Sequence, residues 1–318
     1  MTGLILLTLR ELRARKVVVG LFAVATLVWL TLALALQLDV VDGSLAGLSL
    51  FGNQANLPTE QPVRDAEGDI VRDSSGTVVM EAREPDLGSS MLEEFVFGTQ
   101  AFAAGAAYWM GILLALFATG GLVAALTERG TVDVILSKPL PRSAILAGRL
   151  AGVGIVAALL FTYLLGAVWL VMSIKTGIWN GYFLLAIGAV WLMFAVMYGL
   201  VTLVSVWSGS GPLALVVTLG LLFASLVLAI PDLRLQLMPA WRPVVDVPYH
   251  LLPKFASVGS KLVPWLATGG ELGGFVTDGG PQPATDSTVP ALYPLLSSVA
   301  FGLVCYAGAF ALFRRTDY

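Results

Sequence analysis

Six apolar stretches, at about 17–38, 101–126, 144–174, 181–207, 212–230 and 291–313, decide what this chain can fold into. A helix rises about 1.5 Å per residue, so about 20 apolar residues match a hydrocarbon core about 30 Å thick. Each stretch is long enough to cross a bilayer, and the third is long enough to tilt or project beyond it. The rest of the chain cannot supply a soluble surface. Only 12% of the 318 residues are charged and the mean hydropathy is +0.86, whereas a soluble domain carries roughly 25% charged residues. The expectation is an all-α polytopic membrane protein, with 1–318 forming a single transmembrane domain. The first stretch follows a basic region, but its apolar core is longer than the usual 7–15 residues or so of a signal peptide, which favours an uncleaved helix.

Six spans place both termini on one side, and lysine and arginine near the span ends say which. Arg10, Arg13, Arg15 and Lys16 precede the first span, Arg129, Lys138, Arg142 and Arg149 lie between the second and third, and Arg314 and Arg315 follow the last. Most of the remaining cations are scattered over two long loops, 39–100 and 231–290, where the rule counts little. Both termini and 127–149 are therefore expected on the cytoplasmic side, and the two loops outside.

The loops differ in character. Residues 39–100 hold twelve Asp and Glu against three basic residues. There VRDAEGDIV (63–71) is echoed by VRDSSGTVV (71–79), each copy placing a polar turn with glycine between short β-branched runs. That pattern predicts a small β-meander. A calcium site from Asp65, Asp69 and Asp73 is the alternative, but the spacing fits no recognised calcium loop and a solvated hairpin is preferred. Residues 231–290 hold nine of the sixteen prolines. Their stretch PYHLLPKFASVGSKLVPWLA (248–267) predicts short helices lying in the interface or dipping into the membrane.

Chemistry has few places to sit. Apart from Arg149, the proposed spans contain no Asp, Glu, Lys, Arg or His. Proton-coupled carriers and intramembrane hydrolases need such groups at membrane depth, so a self-contained carrier or membrane enzyme is disfavoured. No G-x-x-x-x-G-K-[ST] loop occurs, so ATP hydrolysis through that motif belongs to another chain. The single His250 has no Cys or His near it in sequence, and the single Cys305 lies in an apolar run, so no metal site, bound cofactor or disulfide framework is expected. A net charge of -3 gives no reason to expect nucleic acid. Gly120-Gly121 and Gly152-Val153-Gly154 read as sites of close helix packing or bending.

One polar interruption is more organised than a connector needs to be. In TERGTVDVILSKPLPRSAILAGR (127–149), Thr131 can cap a helix that sets Val132, Ile135 and Leu136 on one face. Asp133 falls in the first turn and Lys138 just past the last, both favourable to the helix dipole. Pro139 ends the element, Pro141 keeps the linker extended, and Ser143 can cap the next helix. The result is a two-turn helix with one greasy face and defined ends, suited to docking. Upstream, Ile5, Leu9 and Leu12 line one face of TGLILLTLRELRARK. This segment is either an interfacial helix or simply a topogenic basic region.

These residues resemble the membrane subunits of type-2 ABC exporters, the NosY-like permeases. Members carry a short basic helix like Arg10-Glu11-Leu12-Arg13, and after their second span a pattern matched here by Glu128, Gly130, Thr131, Asp133, Ile135, Leu136, Ser137, Pro139, Arg142, Ile145, Gly148 and Arg149. The terminal FRRTDY is also similar. The resemblance implies that the helix in 127–149 is a coupling helix seated in a separate ATPase subunit, which holds ATP and magnesium. Val132, Ile135 and Leu136 would then be buried against that subunit, flanked by Glu128 and Arg142. It further implies pairing with a second permease copy, as homodimer or heterodimer, in a bacterial cytoplasmic membrane. The cargo would be hydrophobic or lipid-like, or the assembly would do mechanical work on a periplasmic partner, such as lipoprotein handling or cofactor-protein maturation. The large acidic loop 39–100 is a candidate surface for such a partner.

Overall fold

In a computed structural model, the described residues are 16–41, 44–50, 53–56, 60–62, 78, 80–82, 85–126, 141–229, 250–268 and 293–315. Among them, five helices are long and apolar enough to cross a membrane: Leu92–Ala124, Ser143–Thr176, Phe183–Ser208, Gly211–Leu228 and Tyr293–Arg315. The first expected span is a helix, Lys16–Ala35 (α1), but its strongly apolar part, Val18–Leu34, is shorter than these five. The chain then turns directly into strand.

Strands Leu36–Val41 (β1), Ser44–Leu50 (β2) and Asn53–Asn56 (β3) form an antiparallel sheet in that order. Asp39 pairs with Gly47 and Val40 with Leu45, so Ala46 is an extra residue that bulges β2. Glu60–Pro62 (β4) pairs with Met80–Ala82 (β5). The repeat at 63–79, where a meander is expected, falls outside the described residues except for Val78, as do Asp65, Asp69 and Asp73.

The second span starts earlier than composition suggests. Helix Pro85–Ala106 (α2) passes through a π turn, Ala107–Gly111, into Ile112–Thr119 (α3) and Gly121–Ala124 (α4). Residues 85–100 therefore belong to a helix and not to a loop. Glu93 and Glu94 dilute the hydropathy there, yet Leu92, Val96 and Gln100 recur every fourth residue and are buried. The third span, Arg142–Thr176 (α5), is 35 residues long, about 52 Å at the helical rise, so it too overshoots a single crossing. Pro141, in extended conformation, occupies its N-cap position without a side-chain cap. Ser143 thus falls in the first turn and does not cap it.

Helix Phe183–Ser208 (α6) is the centre of the bundle, with most of its residues buried, whereas Tyr293–Arg315 (α10) buries only one face. Those two helices run parallel, Gly302 against Val196 and Gly308 against Leu203. A Cβ on Gly302 would lie 3.1 Å from Val196 Cα, and one on Gly199 would lie 3.2 Å from the Gly302 carbonyl oxygen. Glycine lets the backbones approach, as small residues do where lipid removes the hydrophobic drive for helix association. Tyr306 Oη donates to the Ala195 carbonyl at 2.7 Å and fixes the register. Helices α1 and α5 are joined at Tyr163, whose hydroxyl lies 2.8 Å from Thr26 Oγ1 and accepts from Trp29 Nε1 at 3.1 Å.

The outer faces are apolar, with Phe102, Ile174, Phe223 and Val304 each more than 60% exposed. In water such a surface would aggregate. In a bilayer it is the solvent-facing side.

Between α6 and Gly211–Leu228 (α7) the chain reverses in a few residues. Gly209 adopts φ 67°, the left-handed conformation that ends many helices, and Ser210 caps α7 by accepting from Leu213 N at 3.4 Å. Gly177, at φ 75°, closes α5 the same way.

The stretch expected to lie in the interface or dip into the membrane consists of short helices that pack on protein. Phe255–Ser257 (α8), a π turn Val258–Leu262, and Val263–Thr268 (α9) pack along the second span, Phe255 beside Tyr108 and Ala267 near Gln100. Its apolar residues Phe255, Val258, Leu262 and Val263 are buried in protein, which is why their composition alone resembled a membrane-surface helix.

Candidate functional site

Residues 127–140 lie outside the described residues, and with them Glu128, Gly130, Thr131, Val132, Asp133, Ile135, Leu136, Ser137 and Pro139. So do Arg10, Glu11 and Arg13 near the N-terminus. Arg142 begins α5. What the structure supplies is the frame that holds the two ends of the segment.

That frame is built around a frayed helix end. At the close of the second span, Ala125 N donates to Gly121 O and Leu126 N turns back to Val123 O, a tighter 3₁₀-type bond. The Leu122 carbonyl is thereby released from the usual i to i+4 pattern, the common fate of a helix C-terminus. Arg149 donates to it through Nε at 3.2 Å. The guanidinium is buried at the end of a helix where the dipole favours a cation. A hydrogen bond from a charged donor contributes about 1.5–3 kcal/mol, and here it clamps the arm entering the segment to the arm leaving it. Ile145 and Leu146 on α5, and Leu122, Val123 and Leu126 on the incoming arm, are buried in the same apolar core.

The α6–α7 turn locks the frame from a third side. A Cβ added to Gly211 would lie 2.9 Å from Gly121 Cα, and one added to Gly120 would lie 2.6 Å from Leu215 Cδ2. The glycine pair 120–121 therefore serves close packing, as its composition predicts. Gly154 does not: a Cβ there meets nothing within 4 Å. Ser208-Gly209-Ser210-Gly211-Pro212 reads in the sequence as a tight turn between two antiparallel spans, but the close approach of Gly211 to Gly121 is not encoded there. Tyr198 adds a further tie, its hydroxyl donating to the Thr119 carbonyl at 3.3 Å.

At the opposite end, polar groups hold the overshooting helices together. Asn180 Nδ2 donates to Gln100 Oε1 at 2.8 Å and to the Ala267 carbonyl at 2.7 Å, while Asn180 Oδ1 accepts from Tyr182 N. One buried amide thus joins the α5–α6 connection to α2 and α9. Tyr108, in the π turn of the second span, donates to the Phe255 carbonyl at 2.6 Å, and its ring fills the space beside Gly259 in the facing π turn. Such turns are rare and concentrate where function needs a local break in the helix. Lys254 is buried with its ammonium 4.7 Å from the centre of the Tyr293 ring. No group of three or more potential metal ligands occurs among the described residues.

Asn180→Leu should show what that amide contributes. It strands Gln100 Oε1, the Ala267 carbonyl and Tyr182 N, at about 1–3 kcal/mol for each buried group left unpaired. We expect a fall of several degrees in the unfolding midpoint of the detergent-purified protein, read by tryptophan fluorescence, with no comparable loss in Thr31→Leu on the exposed face of α1. An unchanged midpoint would remove this amide from the account.

A family model described as ABC-2 family transporter protein matches residues 9–318. No curated protein matches the chain.

Proposed function

Because this chain belongs to the ABC-2 family of transporter proteins and is a multi-pass membrane permease subunit, we propose that 127–149 docks a separate cytoplasmic ATPase. The observation that carries the reading is the frame described above. Arg149 on Leu122, and Gly211 on Gly121, tie both ends of the segment to three spans. Packed interiors shift as units, so closure of an ATPase around Val132, Ile135 and Leu136 would move α4, α5 and α7 together. The ATP and magnesium belong to that partner.

The rest of the reading follows from this orientation. Helix α1 serves as a sixth crossing, somewhat short, and both termini lie in the cytoplasm. A second permease copy pairs with this one. The apolar spans suit export of a hydrophobic cargo, or mechanical work on an exoplasmic partner through 39–100. The strands flanking the acidic repeat, which give that loop some internal order, favour the second use. The Asn180 and Tyr108 contacts would then carry movement of the second span to the outer element 255–268.

Purification of the tagged full chain from its native membranes tests this. A P-loop ATPase should copurify in near-equal amount and leave when 131–136 is replaced by a Gly-Ser linker. A stable complex without any ATPase would reject the reading.

A further inference from the structure

A groove of about 380 Å³ runs between α5 and α6, floored by α10. Ala151, Gly154, Ile155 and Ala158 form one wall, and Trp191 and Ala195 the other. Three aromatic side chains around it carry polar tips, and each tip is already paired with a backbone carbonyl. Trp191 Nε1 donates to the Gly154 carbonyl at 2.9 Å, Tyr306 Oη to Ala195 and Tyr198 Oη to Thr119. The groove therefore offers C–H surface almost alone, which disfavours a polar solute, since such a solute would lose its water partners on entry. Its mouth opens on the lipid-facing flank, where Ile155 and Leu159 are exposed.

Depth identifies the occupant further. Leu150 lies seven residues inside Ser143 at the start of the third span, and Tyr306 lies eight residues before Arg314, about 10–12 Å along each helix. The groove thus sits where acyl chains lie and not where headgroups do. Arg314 and Arg315, both exposed, stand at the end of α10, the helix that gives the groove Tyr306, and so at the same end of the bundle. A cationic pair at headgroup level above an apolar slot at chain level complements an amphiphile with an anionic head. Gly154 agrees with this: it leaves space that no residue of this chain fills.

We propose that the groove holds one acyl chain of an anionic phospholipid from the leaflet at the 127–140 end, its phosphate at Arg314 and Arg315. The lipid is a resident of the membrane bound to the outside of the bundle. The proposal goes beyond the ATPase reading and stands whether or not a partner is found.

The test uses the full chain in vesicles of mixed phosphatidylglycerol and phosphatidylcholine, with a photoactivatable group on the acyl chain of one lipid or the other. Cross-linked peptides are then mapped by mass spectrometry. Cross-links should concentrate at 150–158 and 191–198, with the phosphatidylglycerol probe ahead by about fivefold for each arginine near the surface. Arg314→Gln with Arg315→Gln should equalise the two probes. Ala158→Trp, which fills the groove, should abolish the cross-links, while Leu159→Trp on the exposed face retains them. Cross-links spread evenly over the exposed faces of α5 and α10, equal yield from both probes in the unmodified protein, or links between two copies of the chain at these positions would each overturn the proposal. The map of the unmodified protein decides the matter even if a variant fails to fold.

Discussion

Gly211→Val is expected to yield a protein that unfolds well below the unmodified chain and recovers poorly from membranes. The new Cβ would sit 2.9 Å from Gly121 Cα and 3.5 Å from both Ala124 Cβ and the Gly120 carbonyl oxygen. A flexible side chain could rotate away from such a contact. A backbone atom cannot, so α7 and the end of the second span must separate. Overpacking of this kind costs about 1–3 kcal/mol, and a branched residue falls at the upper end. The separation also misplaces Leu122 and with it the carbonyl held by Arg149, so both loss of stability and loss of function are expected. Gly220→Val, on the same helix with nothing within 4 Å of its would-be Cβ, is the control and should change the midpoint little. Thermal unfolding of both variants in one detergent decides it. Equal stability of Gly211→Val and the unmodified protein would dissolve the three-sided frame.

The second large effect is functional. Ile135→Asp or Leu136→Asp is expected to leave the chain folded in the membrane while cutting retention of the ATPase by tenfold or more, since a carboxylate forced into an apolar interface costs about 2 kcal/mol or above. Val134 lies on the opposite side of the predicted helix, and Val134→Asp should keep the partner bound. Transport or exoplasmic work should fail in the first two variants and persist in the third, with ATP hydrolysis no longer responding to the permease. If all three behave alike, the greasy face has no docking role.

The spans were legible because lipid imposes a simple rule: about twenty apolar residues in a row, with their polar backbone satisfied internally. The tight α6–α7 turn is written locally as well, in the glycines and proline of Ser208-Gly209-Ser210-Gly211-Pro212. What stayed hidden was either extension beyond the apolar core or pairwise fit. Residues 85–100 carry two glutamates and so look like loop, yet Leu92, Val96 and Gln100 keep a helical stripe that packs on neighbours distant in sequence. The 255–268 element was legible as short helices, but its packing against the second span was not, because a helix packed on protein and one in contact with lipid need the same residues. That Gly121 faces Gly211, or that Asn180 reaches both Gln100 and Ala267, depends on contacts 80 or more residues apart, and no local pattern encodes them. The family pattern in 127–149 works in the opposite direction. It is written in the sequence, while the structure contributes the anchoring of its ends.

The most direct test of the central claim places a photo-cross-linking amino acid at Leu136 in the full chain, in native membranes, with a second at Leu159 on the lipid-facing flank of α5. Irradiation should join Leu136 to a P-loop ATPase, in a yield that changes when ATP is added, and should join Leu159 to no such protein. Repeated failure of Leu136 to capture an ATPase, with cross-links to lipid at both positions alike, would contradict the account.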